Sequence, residues 1–218
     1  MNICLISQNA SPGLTIFRKD FIRYLIDQGH QVYAFAIDYT VVSREIVSEF
    51  GAIPMDYSLN KSGLNIFADL NDTWLLSKQL KKIQPDIVFS FFIKPSVYGT
   101  LAAKLAKVPR RIAMLEGAGY MYTPSKNKLS FKKIILQYAH GLLISMGYAF
   151  ADKVLFLNPD DPVDLTKKSF INSKKFKVIG PIGLKLSSYP YTEVVITKPI
   201  RFIFIARILA EKGIYEYL

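Results

Sequence analysis

One carboxylate stands in a setting suited to chemistry. Glu116 opens the segment Glu116-Gly117-Ala118-Gly119-Tyr120, directly after the apolar run Arg110–Leu115. Two glycines free the backbone beside it, and a carboxylate held there can accept a proton or hold a sugar hydroxyl. On these residues alone the plainer role is preferred, a helix-capping or salt-bridged Glu116 facing Arg110 or Arg111. A second feature is Ser11-Pro12-Gly13, which follows the first apolar run and opens a helix-like segment. Ser11 can cap that helix, Pro12 suits its first turn, and Gly13 permits close approach to N–H groups that favour a phosphate. Many such turns only join a strand to a helix, and the glycine fingerprint of dinucleotide sites is absent. Lys94, in Phe92-Ile93-Lys94-Pro95, is either a surface lysine or a cation aimed into the same cleft. No metal site is expected, because Cys4, His30 and His140 cannot assemble a standard zinc constellation.

Each of these residues follows an apolar run of strand length. The runs are Asn2–Ser7, Gln31–Ile37, Asp86–Phe91, Arg110–Leu115 and Lys153–Leu157, and their continuous apolarity predicts strands covered on both faces. Helix-length segments lie between them. Leu14–Gln28 places Leu14, Phe17, Phe21, Tyr24 and Leu25 at helical spacing opposite Lys19, Asp20, Arg23 and Asp27, and Gly29 is its stop signal. Ile66–Ile83 carries Phe67, Leu70, Trp74, Leu76 and Leu80, and Pro95–Ala106 forms a third helix. Alternating strands and helices predict a doubly wound, Rossmann-like α/β fold with a parallel sheet. Ligands in such sheets gather at the carboxyl ends of the strands, which singles out the loops at 8–13, 92–95 and 116–123.

The first domain is expected over residues 1–180, with a small last strand at Lys177–Gly180. Residues 181–198 form a linker. Ile200–Ala206 then predicts a buried strand and Glu211–Leu218 the start of a helix, too little for a second core, so the sequence is expected to be truncated.

Cys4 lies inside an apolar run, where a buried, inert thiol is expected, and a lone cysteine suits a reducing compartment. With 28 Lys and Arg against 17 Asp and Glu, the net charge is +11, so the surface should attract anions. Nucleic acid is not the expected partner, because no reading motif accompanies the charge. The excess is local: Lys126, Lys128, Lys132 and Lys133 crowd the start of a run, Ile134–Ala151, that holds no charge. Gln137, His140, Gly141, Ser145 and Gly147 favour a mostly buried helix there over a membrane span. The four lysines either form a patch for an anionic membrane or keep a long apolar helix soluble.

Taken in order, several segments resemble the GT-B glycosyltransferases, in particular retaining family 4 enzymes that build bacterial capsule, O-antigen and related glycans. They are Phe92-Ile93-Lys94-Pro95-Ser96-Val97-Tyr98-Gly99, Met114-Leu115-Glu116-Gly117-Ala118-Gly119-Tyr120 and Phe156-Leu157-Asn158-Pro159-Asp160-Asp161. Ala206-Arg207-Ile208-Leu209-Ala210-Glu211-Lys212-Gly213 resembles the start of the donor domain in such enzymes. The resemblance implies a nucleotide-sugar donor whose diphosphate meets Arg207 and Lys212, a polyprenyl-linked glycan acceptor, and no metal cofactor. It implies a cytoplasmic enzyme, peripheral on the inner face of the membrane, with Glu116 where many relatives place a histidine. It also implies a second Rossmann-like domain beyond Leu218, so the fragment alone is expected to be inactive. The rival expectation is a truncated, non-catalytic module that binds a glycan or a partner.

Overall fold

Apolar runs without polar alternation must be covered on both faces, and the chain meets that demand with a parallel sheet between two layers of helices. The computed structural model describes residues 1–60, 65–117, 131–166, 173–183, 185–193, 198–206, 208 and 212–218. In chain order its elements are β1 (Asn2–Ile6), α1 (Lys19–Asp27), β2 (Gln31–Ala36), α2 (Val41–Glu49), β3 (Ile53–Asp56), α3 (Ile66–Ile83) and β4 (Ile87–Phe91). Then come α4 (Ile93–Leu105), β5 (Arg110–Leu115), α5 (Phe131–Ala149), β6 (Lys153–Phe156), α6 (Asp160–Thr166) and β7 (Phe176–Val178). The strands form one seven-stranded sheet in the order β3-β2-β1-β4-β5-β6-β7. Every neighbouring pair is parallel, with Ile3 of β1 opposite both Val32 of β2 and Ile87 of β4. The doubly wound expectation therefore holds.

Two apolar clusters cover the two faces. On one, α3, α4 and α5 pack Leu76, Leu80, Val97, Tyr98, Ile144 and Tyr148 against Cys4, Ile6 and Val88. On the other, α1 and α2 bring Ile22, Leu25 and Val47 onto Ile3, Leu5 and Val32. Cys4 is fully buried, and burial pushes its thiol up to about 12, so it is a packing residue without reactivity at neutral pH. The α4 helix is set close to the sheet: a Cβ on Gly99 would lie 2.6 Å from Ser90 Oγ and 3.2 Å from Ile6 Cδ1. The uncharged run becomes α5, whose Tyr148 is buried with its hydroxyl 2.8 Å from Ser96 Oγ. Among the described residues, no helix is long and apolar enough to cross a membrane.

The structure departs from the sequence reading in several places. The segment between Ile37 and Ile66 holds α2 and β3, which the apolar pattern does not announce. Thr40 and Ser43 cap α2 reciprocally, a short-range signal, while β3 is a four-residue edge strand with no buried position. The first helix starts at Lys19 rather than Leu14, because residues 10–17 wind in turns whose N–H groups converge on the carbonyls of Ala10 and Pro12. Across these turns and α1 the buried stripe is Leu14, Arg18, Ile22 and Leu25, whereas Phe17, Phe21 and Tyr24 are exposed. On α3 likewise, Leu76 and Leu80 are buried while Phe67, Leu70 and Trp74 face solvent.

Residues Met1–Ile182 form one compact unit and Gly183–Leu218 a second. Within the second, residues 200–206 are not a strand, and Phe202, Ile203 and Ile205 are exposed. A strand needs a ladder partner for its N–H and C=O groups, and the described residues of that unit offer none. The unit's helix is a single turn, α7 (Ile214–Tyr217), beside which Tyr217 donates to the Phe202 carbonyl at 2.9 Å.

Candidate functional site

β1 and β4 are adjacent, yet the chain leaves β1 for the helix layer on one face and β4 for the layer on the other. A crevice opens where strand order reverses in this way, at the carboxyl ends of the strands. Several hydrogen bonds tie down its floor. Beyond β1, Ser7 donates through its N–H to the Phe35 carbonyl and through Oγ to the Asn9 carbonyl, while its own carbonyl accepts from the Tyr57 hydroxyl. Ala10 N–H donates to Asp38 Oδ1 at 2.7 Å, fixing the loop to the end of β2. Burial, with Asp38 nearby, pushes the Tyr57 phenol far above its ordinary value, so it remains a donor.

Gly13 lies in this loop, but its N–H donates to Asn9 Oδ1 at 2.9 Å. The following N–H groups, from Leu14 to Phe17, donate to Ala10 and Pro12. The expected cradle of exposed amides is thus absent at Gly13, because the loop has satisfied its own donors. The glycine is needed for space: a Cβ there would sit 2.6 Å from Ser7 Oγ and closer still to Asn9.

The charged centre of the crevice joins two distant segments. Arg18, the residue before α1, is 5% exposed, and its guanidinium carbon lies 4.3 Å from the centre of the Phe91 ring at the end of β4. It forms an ion pair with Glu116, which follows β5 and whose side chain is 10% exposed. Nη1 also donates to the Phe17 carbonyl at 3.2 Å, and Nη2 lies 3.9 Å from Met114 Sδ. Burial lowers the guanidinium to about 10, still protonated at neutral pH, so the cation needs a carboxylate and Glu116 supplies it. Glu116 is therefore salt-bridged, but to Arg18. Arg111 instead pairs with Asp152 at 2.8 Å.

Sequence reasoning passed over Arg18. Its signal was the spacing Leu14, Arg18, Ile22, Leu25, which places an arginine in an otherwise apolar inward stripe. Gly117, next to Glu116, takes φ +110°, a conformation glycine adopts freely. Opposite, Phe92 joins β4 to α4 at φ 67° and ψ 166°, a region almost reserved for glycine. Holding a bulky residue there costs about 1–3 kcal/mol, and such strain concentrates at functional sites.

Lys94 is not aimed into open space. Its Nζ donates to Asp69 Oδ1 and to the Asn60 carbonyl, both at 2.9 Å, and lies 2.8 Å from Asp69 Oδ2. Asp69 is fully buried, so Lys94 clamps the first turn of α3, and Asn60 in the loop after β3, to the first turn of α4. Of the other expected site residues, Lys212 is exposed in the second unit, just before Gly213. Arg207, Lys126 and Lys128 lie outside the described residues; Lys132 and Lys133 begin α5, with side chains outside the description. Among the described residues, no three His, Cys, Asp or Glu side chains cluster as metal ligands would.

The model of the family described as glycosyl transferase 4-like matches residues 2–158, spanning the sheet from β1 to the end of β6. The chain belongs to that family. A Campylobacter jejuni protein named N,N'-diacetylbacillosaminyl-diphospho-undecaprenol alpha-1,3-N-acetylgalactosaminyltransferase is 27% identical over 224 aligned residues. The alignment takes in 96% of this chain and 57% of that protein. Among solved structures, Anabaena HepE in complex with UDP and glucose superposes with a TM-score of 0.60 at 13% identity, covering 88% of this chain and 47% of that one. The UDP-GlcNAc 2-epimerase of Neisseria meningitidis, bound to UDP-GlcNAc, gives a TM-score of 0.54 at 15% identity, covering 84% of this chain and 47% of that one. At such identities these two structures establish the fold, the Rossmann-like half of a GT-B architecture, and not the chemistry. The chain spans about half the length of these relatives.

Proposed function

We propose that this glycosyl transferase 4-like chain is the acceptor-binding part of a retaining glycosyltransferase, which moves a sugar from a nucleotide-sugar donor to a polyprenyl-diphosphate-linked glycan in surface polysaccharide synthesis. The observation that carries the reading is the buried Arg18–Glu116 pair at the switch-point crevice, beside the strained Phe92. A carboxylate paired with a buried cation is a strong acceptor for a sugar hydroxyl, and its position after β5 is where such sheets receive ligands. Glu116 orients the acceptor hydroxyl; Arg18 holds Glu116 in place. Gly13 and Lys94 shape the loops around the acceptor. The name of the Campylobacter relative supports a lipid-diphosphate acceptor.

On the donor side, Arg207 and Lys212 take the diphosphate and stabilise the leaving charge, so the reading calls on no resident metal. Donor and acceptor meet at the cytoplasmic face of the membrane, with the enzyme peripheral to it and Lys126, Lys128, Lys132 and Lys133 at the anionic surface.

The test uses protein that includes residues 1–218, a panel of labelled nucleotide sugars and a polyprenyl-diphosphate-linked N-acetylhexosamine. Label should pass to the lipid fraction, and Glu116→Gln should lower turnover at least about 100-fold, measured at a temperature where dichroism shows the destabilised variant still folded. Arg207→Ala with Lys212→Ala should depress transfer by a similar factor while acceptor binding persists. Acceptor binding with no turnover of any donor would instead mark a non-catalytic glycan-binding module.

A further inference from the structure

At Phe92 the chain changes faces within one residue. Its side chain packs with the cluster on the α1 and α2 side of the sheet, while α4, which it starts, lies on the other side. The crossing takes φ 67° and ψ 166°, and a bulky residue stays in such a region only where its surroundings over-determine it. Those surroundings include α3 and α5, both packed on α4. From α3, the fully buried Asp69 accepts from Lys94 Nζ at 2.9 Å, beside the Tyr98 ring, whose centre lies 5.8 Å from the same nitrogen. From α5, the fully buried Tyr148 shares a hydrogen bond of 2.8 Å with Ser96 Oγ. Ser96 in turn donates through Oγ to the Ile93 carbonyl at 2.8 Å and through its N–H to the Phe92 carbonyl at 3.0 Å. Both anchors thus grip the first turn of α4, directly after Phe92.

We propose that Asp69 and Tyr148 are positioning residues for sugar transfer, which hold the Phe92 turn and with it the wall of the crevice opposite Glu116. Phe91, the residue before the turn, pairs with Met114 in the ladder and carries the Arg18 guanidinium on its ring. A shift at Phe92 therefore reaches the Arg18–Glu116 pair through a single residue. Stability alone does not call for this arrangement. Buried charges that join two helices add little that apolar side chains of similar size would not supply, whereas a carboxylate and an ammonium fix direction as well as distance. Asp69 acts through Lys94 and Tyr148 through Ser96. The inference deepens the transfer reading above and rests on it.

The experiment compares Asp69→Asn and Tyr148→Phe with the parent, in protein that includes residues 1–218 and at a temperature where dichroism shows all three folded. The substrates are the nucleotide sugar that supports transfer and the polyprenyl-diphosphate-linked N-acetylhexosamine. Turnover, kcat, should fall at least about 10-fold in Asp69→Asn and about 3-fold in Tyr148→Phe, with the acceptor KM changed less than about 2-fold, because the groups that bind the acceptor remain and only their alignment is lost. Amide exchange gives a readout without substrate. The Ser96 N–H should exchange at least roughly 10-fold faster in Asp69→Asn and more than about 3-fold faster in Tyr148→Phe. The Ala106 N–H, bonded to the Ala102 carbonyl at the far end of α4, should keep its parental rate in both.

Variants that turn over at the parental rate, or that lose kcat while the Ser96 amide exchanges as before, would overturn the proposal. So would equal acceleration at Ser96 and Ala106, which would mark a general loss of stability. If Asp69→Asn does not fold, Tyr148→Phe decides by itself. A parent chain with no turnover refutes the transfer reading, and the positioning role falls with it. A parent that transfers no faster than the variants refutes the positioning role alone.

Discussion

Arg18 and Glu116 illustrate how differently a charge behaves alone and paired. The guanidinium is removed from water and rests on Phe91, so without Glu116 it would be a buried cation with a ring, a carbonyl and the Met114 sulfur for company. Breaking a buried pair from one side costs about 3–5 kcal/mol, whereas replacing both partners with apolar groups of similar size is close to neutral. Arg18→Met should therefore lower unfolding free energy by about that amount in urea titrations, and Arg18→Met with Glu116→Met should recover most of it. Full recovery of stability with loss of transfer would separate the chemical part of the pair from its structural part. If the single change proved harmless, the pair would not be buried as described.

Neighbouring elements are joined by contacts of unequal strength. Arg111 of β5 reaches across to Asp152, which precedes β6, and Asp152 Oδ2 also accepts from the Arg111 N–H at 2.7 Å. Burial alone would raise the Asp152 carboxyl, but hydrogen bonds from Arg111 and its charge, with a smaller effect of Lys175, outweigh that and hold it below its ordinary value. A depressed carboxyl stabilises the fold above its unfolded value of about 3.9 and loses that contribution as pH falls through the lowered folded value. Asp152→Asn should thus destabilise by up to about 1 kcal/mol at pH 7, and the gap should close in melts taken near pH 2.

Helix contact is less forgiving. A Cβ on Gly147 of α5 would lie 2.7 Å from Val97 Cα on α4, a backbone atom that cannot step aside. Gly147→Ala should cost about 1–3 kcal/mol by overpacking, read as a lower urea midpoint with unchanged slope.

At the scale of the molecule, the whole sheet and both apolar clusters belong to residues 1–182. That stretch should by itself give a single cooperative thermal transition with native-like near-ultraviolet dichroism. A broad, non-cooperative melt would show that the first unit does not carry its own core.

The fold class was legible because the central strands are largely apolar runs, which only a sheet covered on both sides can bury; the strand order was not. Arg110–Leu115 and Ile66–Ile83 appear in the structure with the boundaries that the sequence predicts. Glu116 was legible too, as a carboxylate placed where a strand ends. The inward faces of α1 and α3 were not, since both helices carry apolar residues on two sides and periodicity cannot say which side meets the sheet. That choice made Arg18 a buried partner and left Trp74 in solvent. The partner of Glu116 was beyond sequence reasoning for the same reason: an ion pair between segments this far apart exists only once β1, β4 and β5 lie side by side. Local pattern fixes which residues can be strand or helix; packing free energy, summed over the whole core, decides what each side chain touches.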